Sequence, residues 1–209
     1  MPTLCPTMPY DKAYFDKWYR NRQHRVRTPA QIRRIVSFTV AAAECVLDRP
    51  VRTVLDVGAG EGHWQLILKA MRPKLRYVGV EPSIYAVKRF GARRGLRQGS
   101  VESLDALNLH AEFPEGFDLV ICCGVLNYVA TKVLGSALDQ LQVHTSGVAW
   151  LELFTRHDDI EGDVARLRPR QADWYRKHFR AAGLVSCGMH LYAPTDRAAG
   201  LTAFETIGE

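Results

Sequence analysis

Residues 54–62 read Val-Leu-Asp-Val-Gly-Ala-Gly-Glu-Gly, an apolar run that ends in an acidic residue and leads into three glycines at alternate positions. Glycine accepts backbone angles that other residues resist, and it lets a ligand reach the main chain with no Cβ in the way. The helix expected to follow offers unpaired N–H groups at its first turn. Such a turn suits a nucleotide-like ligand. A dinucleotide turn of the form G-x-G-x-x-G needs glycine at position 63, which is His63, so NAD is not indicated. Glu81 closes the next apolar run, 19 positions after Gly62, where a carboxylate can accept from the two hydroxyls of a ribose. Taken alone, Glu81 reads equally well as an acidic charge at a helix start.

Taken together, these residues resemble the class I S-adenosylmethionine-dependent methyltransferases, whose first motif is an apolar strand, an acidic residue, one apolar residue and G-x-G-x-G. The likeness spans most of residues 51–206. It implies an enzyme whose cofactor is S-adenosyl-L-methionine and whose product is S-adenosyl-L-homocysteine. By the same resemblance, Asp56, Gly58, Ala59, Gly60 and Gly62 approach the methionine end, and Glu81 with Pro82 takes the ribose. Ser100, Val101 and Glu102 lie where the family reads adenine. Many members have Gly-Asp there, whereas this chain has Gly99-Ser100. Ser100 also reads as a plain helix N-cap.

The segment from Phe117 to Val129 is similar to the family's fourth motif, which places Cys123 beside the cofactor. It contains no proline, so neither the Asn/Asp-Pro-Pro-aromatic signature of amino-methylating enzymes nor the Pro-Cys nucleophile of cytosine-C5 enzymes is present. Cys122 and Cys123 then read as buried strand thiols rather than nucleophiles. Asn127 stands where small-molecule members often carry histidine, and an amide is no base at neutral pH. Glu152, Asn127 and His157 are the candidate catalytic groups, although the acidic stretch after residue 155 reads better as a solvated loop. Tyr14, Trp18, Tyr19 and Tyr128 are candidates for the substrate side, the first three on a basic, aromatic helix expected over residues 10–27. That helix fits a lid over the site and fits ordinary packing.

The elements that must position these groups follow from the hydropathy pattern. The predicted fold is α/β: a Rossmann-like, seven-stranded, mostly parallel sheet with helices on both faces, an antiparallel carboxy-terminal edge strand and an amino-terminal helical lid. Strands are expected at 52–57, 75–80, 95–98, 117–122 and 147–154, with an antiparallel pair at 184–192 and 201–206. Helices are expected at 62–71, 82–93, 101–111, 130–143 and 171–182. Thr28-Pro29, with Gln31 behind, predicts a capped helix to about Asp48. The division expected is a lid or extension over 1–50 and a methyltransferase domain over 51–209.

The chain has 209 residues, 47% hydrophobic and 24% charged, which suits a globular protein. Its net charge of +6 resides in residues 1–34, with eight cations against two anions, ahead of a neutral remainder. A basic arm of this kind permits nucleic-acid binding, so an RNA or other nucleic-acid methyltransferase is one alternative to a small-molecule enzyme acting on oxygen or nitrogen. A cofactor-binding protein without catalysis is another. The five cysteines show no C-x-x-C spacing and suggest neither a disulfide framework nor a bound metal. The start lacks a long apolar stretch, so a cytoplasmic protein without membrane contact is expected.

Overall fold

The computed structural model describes residues 10–201. Its seven strands are β1 (Thr53–Val57), β2 (Arg76–Glu81), β3 (Leu96–Gln98), β4 (Phe117–Cys123), β5 (Thr145–Glu152), β6 (Leu184–Gly188) and β7 (Leu191–Pro194). They form one sheet in the order β3-β2-β1-β4-β5-β7-β6, parallel except for β7, which runs antiparallel to both neighbours. The helices are α1 (Lys12–Phe15), α2 (Pro29–Leu47), α3 (His63–Met71), α4 (Ile84–Arg94), α5 (Leu109–Glu112), α6 (Thr131–His144), α7 (Ala172–Ala181) and α8 (Thr195–Ala198).

The central strands are apolar on both faces because both are covered. Alternation with period two sends Leu55, Val57, Val120, Cys122, Ala149 and Leu151 toward α6 and α7, and Val54, Leu119, Ile121, Val148 and Trp150 toward α2 and α3. Val36, Val40 and Ala43 of α2 are buried in that second layer. The capping box is in place: the Gln31 N–H donates to Thr28 Oγ1 at 3.2 Å and the Thr28 N–H donates to Gln31 Oε1 at 2.7 Å. Residues 29–47 therefore form part of the core, and the stretch before Thr28 crosses the carboxyl edge of the sheet.

Three expectations differ from the structure. Residues 10–27 are a turn of α-helix followed by a π-helical turn over Asp16–Arg20 and then irregular chain. Residues 101–112 are two 3-10 turns and the short α5, divided at Asn108, whose φ of 47° ends helical continuity. The antiparallel pair forms within 184–194, because Met189 and His190 turn the chain at φ of 47° and 66°. The second run expected there, at 201–206, lies beyond the described residues except for Leu201, and residues 195–198 are helical.

At the opposite, amino edge one carboxylate ties three segments together. Asp118 of β4 accepts from Arg49 Nη1 at 2.9 Å, Arg49 Nη2 at 2.7 Å and the backbone N–H groups of Arg52 at 2.7 Å and Thr53 at 3.3 Å. Burial alone would raise its pKa, but these donors outweigh it and hold the carboxyl below the usual aspartate value. Asp118→Ala is expected to cost about 3 kcal/mol at pH 7 by chemical denaturation. The depressed pKa contributes stability above the unfolded value of 3.8 and loses it below. The gap between wild type and variant should therefore hold at pH 5 and narrow once the pH falls through that value.

Candidate active site

The strand ends at the carboxyl edge gather the residues singled out by chemistry. β1 stops at Val57 and the chain turns through Gly58, Gly60 and Gly62 at φ of 75°, 57° and 73°. The turn is held by its neighbour strand: the N–H groups of Gly58 and Ala59 donate to Val80 O at 2.7 and 3.2 Å. A Cβ on Gly58 would lie 2.2 Å from Val125 Cγ2, and one on Gly60 would lie 2.9 Å from the Tyr19 hydroxyl. Both positions thus need glycine on steric as well as conformational grounds.

Two carboxylates flank the turn. Asp56 is 3% exposed and accepts from the Tyr77 hydroxyl at 2.7 Å. Burial, and less strongly the nearby Glu81, push its pKa up to about 7. Glu81 accepts from Gly60 N at 2.7 Å and from Ser83 N at 2.9 Å, so it braces the turn it faces. Burial raises its pKa even against those two donors. Each carboxylate oxygen has two acceptor sites, which leaves Glu81 able to take further hydroxyls. Glu61 is also buried, paired with Arg20.

The end of β4 lies beside the end of β5, with Cys123 in register with Glu152. Arg27 reaches across both, donating to Cys123 Sγ at 3.3 Å and Glu152 Oε1 at 2.5 Å. Burial, and then Glu152, push the Cys123 thiol up to about 12, and burial raises Cys122 well above its ordinary value. Both remain neutral thiols, unsuited to act as nucleophiles.

Asn127 is 1% exposed and fully engaged: its amide donates to Phe154 O at 2.6 Å and the Tyr175 hydroxyl at 3.1 Å, and its oxygen accepts from Phe154 N at 2.8 Å. It staples the loop after β4 to the loop after β5. Tyr128 donates to Asp163 O at 2.6 Å. Tyr10 and Tyr14 stack edge to face at 4.9 Å; burial and then Tyr128 raise the pKa of Tyr14, and burial and then Asp163 push that of Tyr128 up to about 12. Tyr19 is 38% exposed, but its hydroxyl lies against Gly60 on the side of Glu81, Cys123 and Asp56, and burial of that end raises its pKa. Trp18 instead turns toward His24 and the Lys17 ammonium.

The remaining candidates divide. Val101 is buried and Ser100 caps its 3-10 turn, the Ser100 N–H donating to Ser103 Oγ at 2.9 Å. Glu102 and Pro82 are exposed beside them. His157 stands apart, exposed, with Nε2 at 2.9 Å from Gln171 Oε1. A groove of about 700 Å³ lined by Pro50, Val51, Arg72 and Leu75 opens at the amino edge, far from these acids and glycines. Three participants are not among the candidate site residues of the sequence. Tyr77 alternates inward on β2 to meet Asp56, Arg20 reads as part of the basic, aromatic helix, and Arg27 reads only as a member of a basic arm.

Residues 55–146 match the model of a family described as a methyltransferase domain. No curated protein matches the sequence. Among solved structures, the chain is similar to a SAM-dependent methyltransferase from Archaeoglobus fulgidus, 14% identical over 83% of this chain and 75% of that one, with a TM-score of 0.58. It is also similar to the sugar N-methyltransferase KedS8 from a Streptoalloteichus species, 19% identical over 86% and 88%, TM-score 0.57. A third is the plantazolicin methyltransferase BamL, solved with a desmethyl analog and SAH, 14% identical over 77% and 67%, TM-score 0.61. Identities this low speak to the fold. Residues 55–146 match a methyltransferase domain, and the chain has the fold of the SAM-dependent methyltransferases to which it is similar.

Proposed function

We propose that the protein transfers a methyl group from S-adenosyl-L-methionine to an oxygen or nitrogen of a small-molecule acceptor. The observation that carries this reading is the glycine turn flanked by the buried carboxylates Asp56 and Glu81 at the carboxyl ends of adjacent parallel strands. The residues fit the cofactor. The main chain at Gly60, which the Tyr19 hydroxyl covers, would admit its methionine portion, Asp56 would face the amino group, Glu81 and Pro82 would take the ribose, and Ser100, Val101 and Glu102 would border adenine. When bound, the cofactor supplies an activated methyl on a sulfonium.

The chain itself then contributes positioning and exclusion of water. Asn127 acts as a positioning residue, since both ends of its amide hold the two loops in place. Tyr14, Trp18 and Tyr19 belong to the segment that covers the site, and Tyr128 borders it. Glu152 lies at the acceptor end. The exposed His157 is directed to Gln171 and has no part in this reading. Three of the eight cations of the basic arm are engaged within the molecule, Lys12 with Asp16, Arg20 with Asp16 and Glu61, and Arg27 with Glu152. The neighbours' descriptions as a sugar N-methyltransferase and a plantazolicin methyltransferase are in keeping with a small acceptor.

In a thermal-shift comparison, S-adenosylmethionine and S-adenosylhomocysteine should raise the melting midpoint while NAD does not. Glu81→Ala should weaken S-adenosylhomocysteine binding about tenfold or more by calorimetry, and unchanged affinity would remove the ribose role. Asp56 offers a second measurement. Its folded-state pKa lies above the unfolded 3.8, so burying its charge lowers stability progressively as pH rises from about 4 to about 7. Asp56→Asn should therefore match wild type near pH 4 and melt higher at pH 8. A ligand ammonium beside Asp56 lowers that pKa, so binding S-adenosylhomocysteine at pH 7 should release up to about half a proton. Calorimetry in buffers of different ionisation enthalpy reads this release, which the Asn variant should abolish.

A further inference from the structure

Glu152 and Arg27 are unequal partners. Glu152 is the last residue of β5, its side chain is 5% exposed, and its carbonyl accepts from Gly124 N at 2.9 Å. The sheet sets its place. Arg27 is 26% exposed and sits in the irregular chain just before the cap of α2. Among the described residues its guanidinium is the one hydrogen-bond donor to the Glu152 carboxylate. An acceptor approaching the ends of β4 and β5 must contend with this guanidinium. Moving it aside leaves a buried carboxylate without a counter-charge, which is costly unless the newcomer brings a positive charge of its own.

We propose that Arg27 is an internal stand-in for the acceptor, and that the acceptor is an amine whose nitrogen takes the place of the Arg27 guanidinium against Glu152. This rests on the methyltransferase reading and narrows its acceptor atom from oxygen or nitrogen to nitrogen.

The charge accounting of the transfer supports nitrogen. An ammonium first gives one proton to water, and the lone pair then forms the N–C bond as the S–C bond breaks. The S–C electron pair stays on sulfur, leaving a neutral thioether, and the positive charge arrives on the methylated nitrogen. Measured from the neutral amine, a fixed carboxylate beside that nitrogen interacts more strongly as the charge builds, which recovers in the transition state the stabilisation given up when the ammonium lost its proton beside Glu152. For a phenolate or carboxylate acceptor the charge disappears during transfer. Glu152 would then oppose the anion before attack and gain nothing afterwards. A neutral hydroxyl needs a base: it brings no charge that would release Glu152 from Arg27, and the other adjacent groups do not provide one. The Cys123 thiol is pushed up to about 12 by burial and by Glu152, and the Asn127 amide is engaged by Phe154 and Tyr175.

The test uses the full chain as wild type, Glu152→Gln and Arg27→Met. S-adenosylhomocysteine binding is measured by calorimetry. Methyl transfer is followed as S-adenosylhomocysteine formed with benzylamine, cyclohexylamine and n-hexylamine against phenol, benzoate and hexanoate. The amines should turn over about tenfold or more faster than the matched oxygen acceptors. Glu152→Gln should raise the KM for amines about tenfold with cofactor affinity unchanged, and Arg27→Met should lower that KM by removing the internal competitor. Preference for the oxygen acceptors overturns the proposal. So does an unchanged amine KM in Glu152→Gln or in Arg27→Met, or a wild type that binds S-adenosylhomocysteine yet methylates none of the amines. Failure of wild type to bind S-adenosylhomocysteine would instead remove the cofactor reading beneath it.

Discussion

Four carboxylates, Asp56, Glu61, Glu81 and Glu152, are buried at the carboxyl ends of the parallel strands of one mixed sheet. Buried charges of one sign repel one another and have lost their water, so each needs a donor, a cation or a proton. The structure uses all three. Glu81 takes backbone N–H groups, Glu61 and Glu152 take guanidinium groups from the amino-terminal segment, and Asp56 takes the Tyr77 hydroxyl and holds its proton to about neutrality. The glycine turn, the path of residues 10–27 and the electrostatic character of the site follow from this requirement.

The covering segment is thereby tied to the same chemistry as the cleft. Phe15 is buried against Tyr85, Arg20 and Arg27 reach acidic side chains at separate strand ends, and Ser83 Oγ donates to Tyr10 O. Phe15 apart, these contacts are polar and close to solvent, unlike the apolar layer that seats α2. Segments held in this way open at lower free energy than core helices. The division between cover and scaffold falls at Thr28, where the capping box begins the rigid helix.

Much of the architecture was legible because the local signals agreed with the global arrangement. The strands through Val57, Glu81 and Cys123 are apolar runs punctuated by glycine or acid, and the Thr28-Pro29 start reads directly as a helix cap. The differences arose where one residue adopts an uncommon backbone angle. Asn108 breaks a helical pattern, and Met189 with His190 turns a chain whose hydropathy alone reads as one continuous strand. The π-helical turn at Asp16–Arg20 has no signature in aromatic spacing, since a single turn of either helix places those rings on similar faces.

The amino acid order by itself determined the glycine turn, the acid that follows it at a set interval and the alternation that buries the sheet on both faces, because these are short-range patterns of residue type. Only the tertiary structure decided what each polar group touches. Asn127 became a staple, His157 was left at the surface, and Arg27 came to lie on Glu152 across 125 positions of chain. Pairings of that kind depend on which strand ends lie side by side and on what crosses above them, and no local run of residues records either.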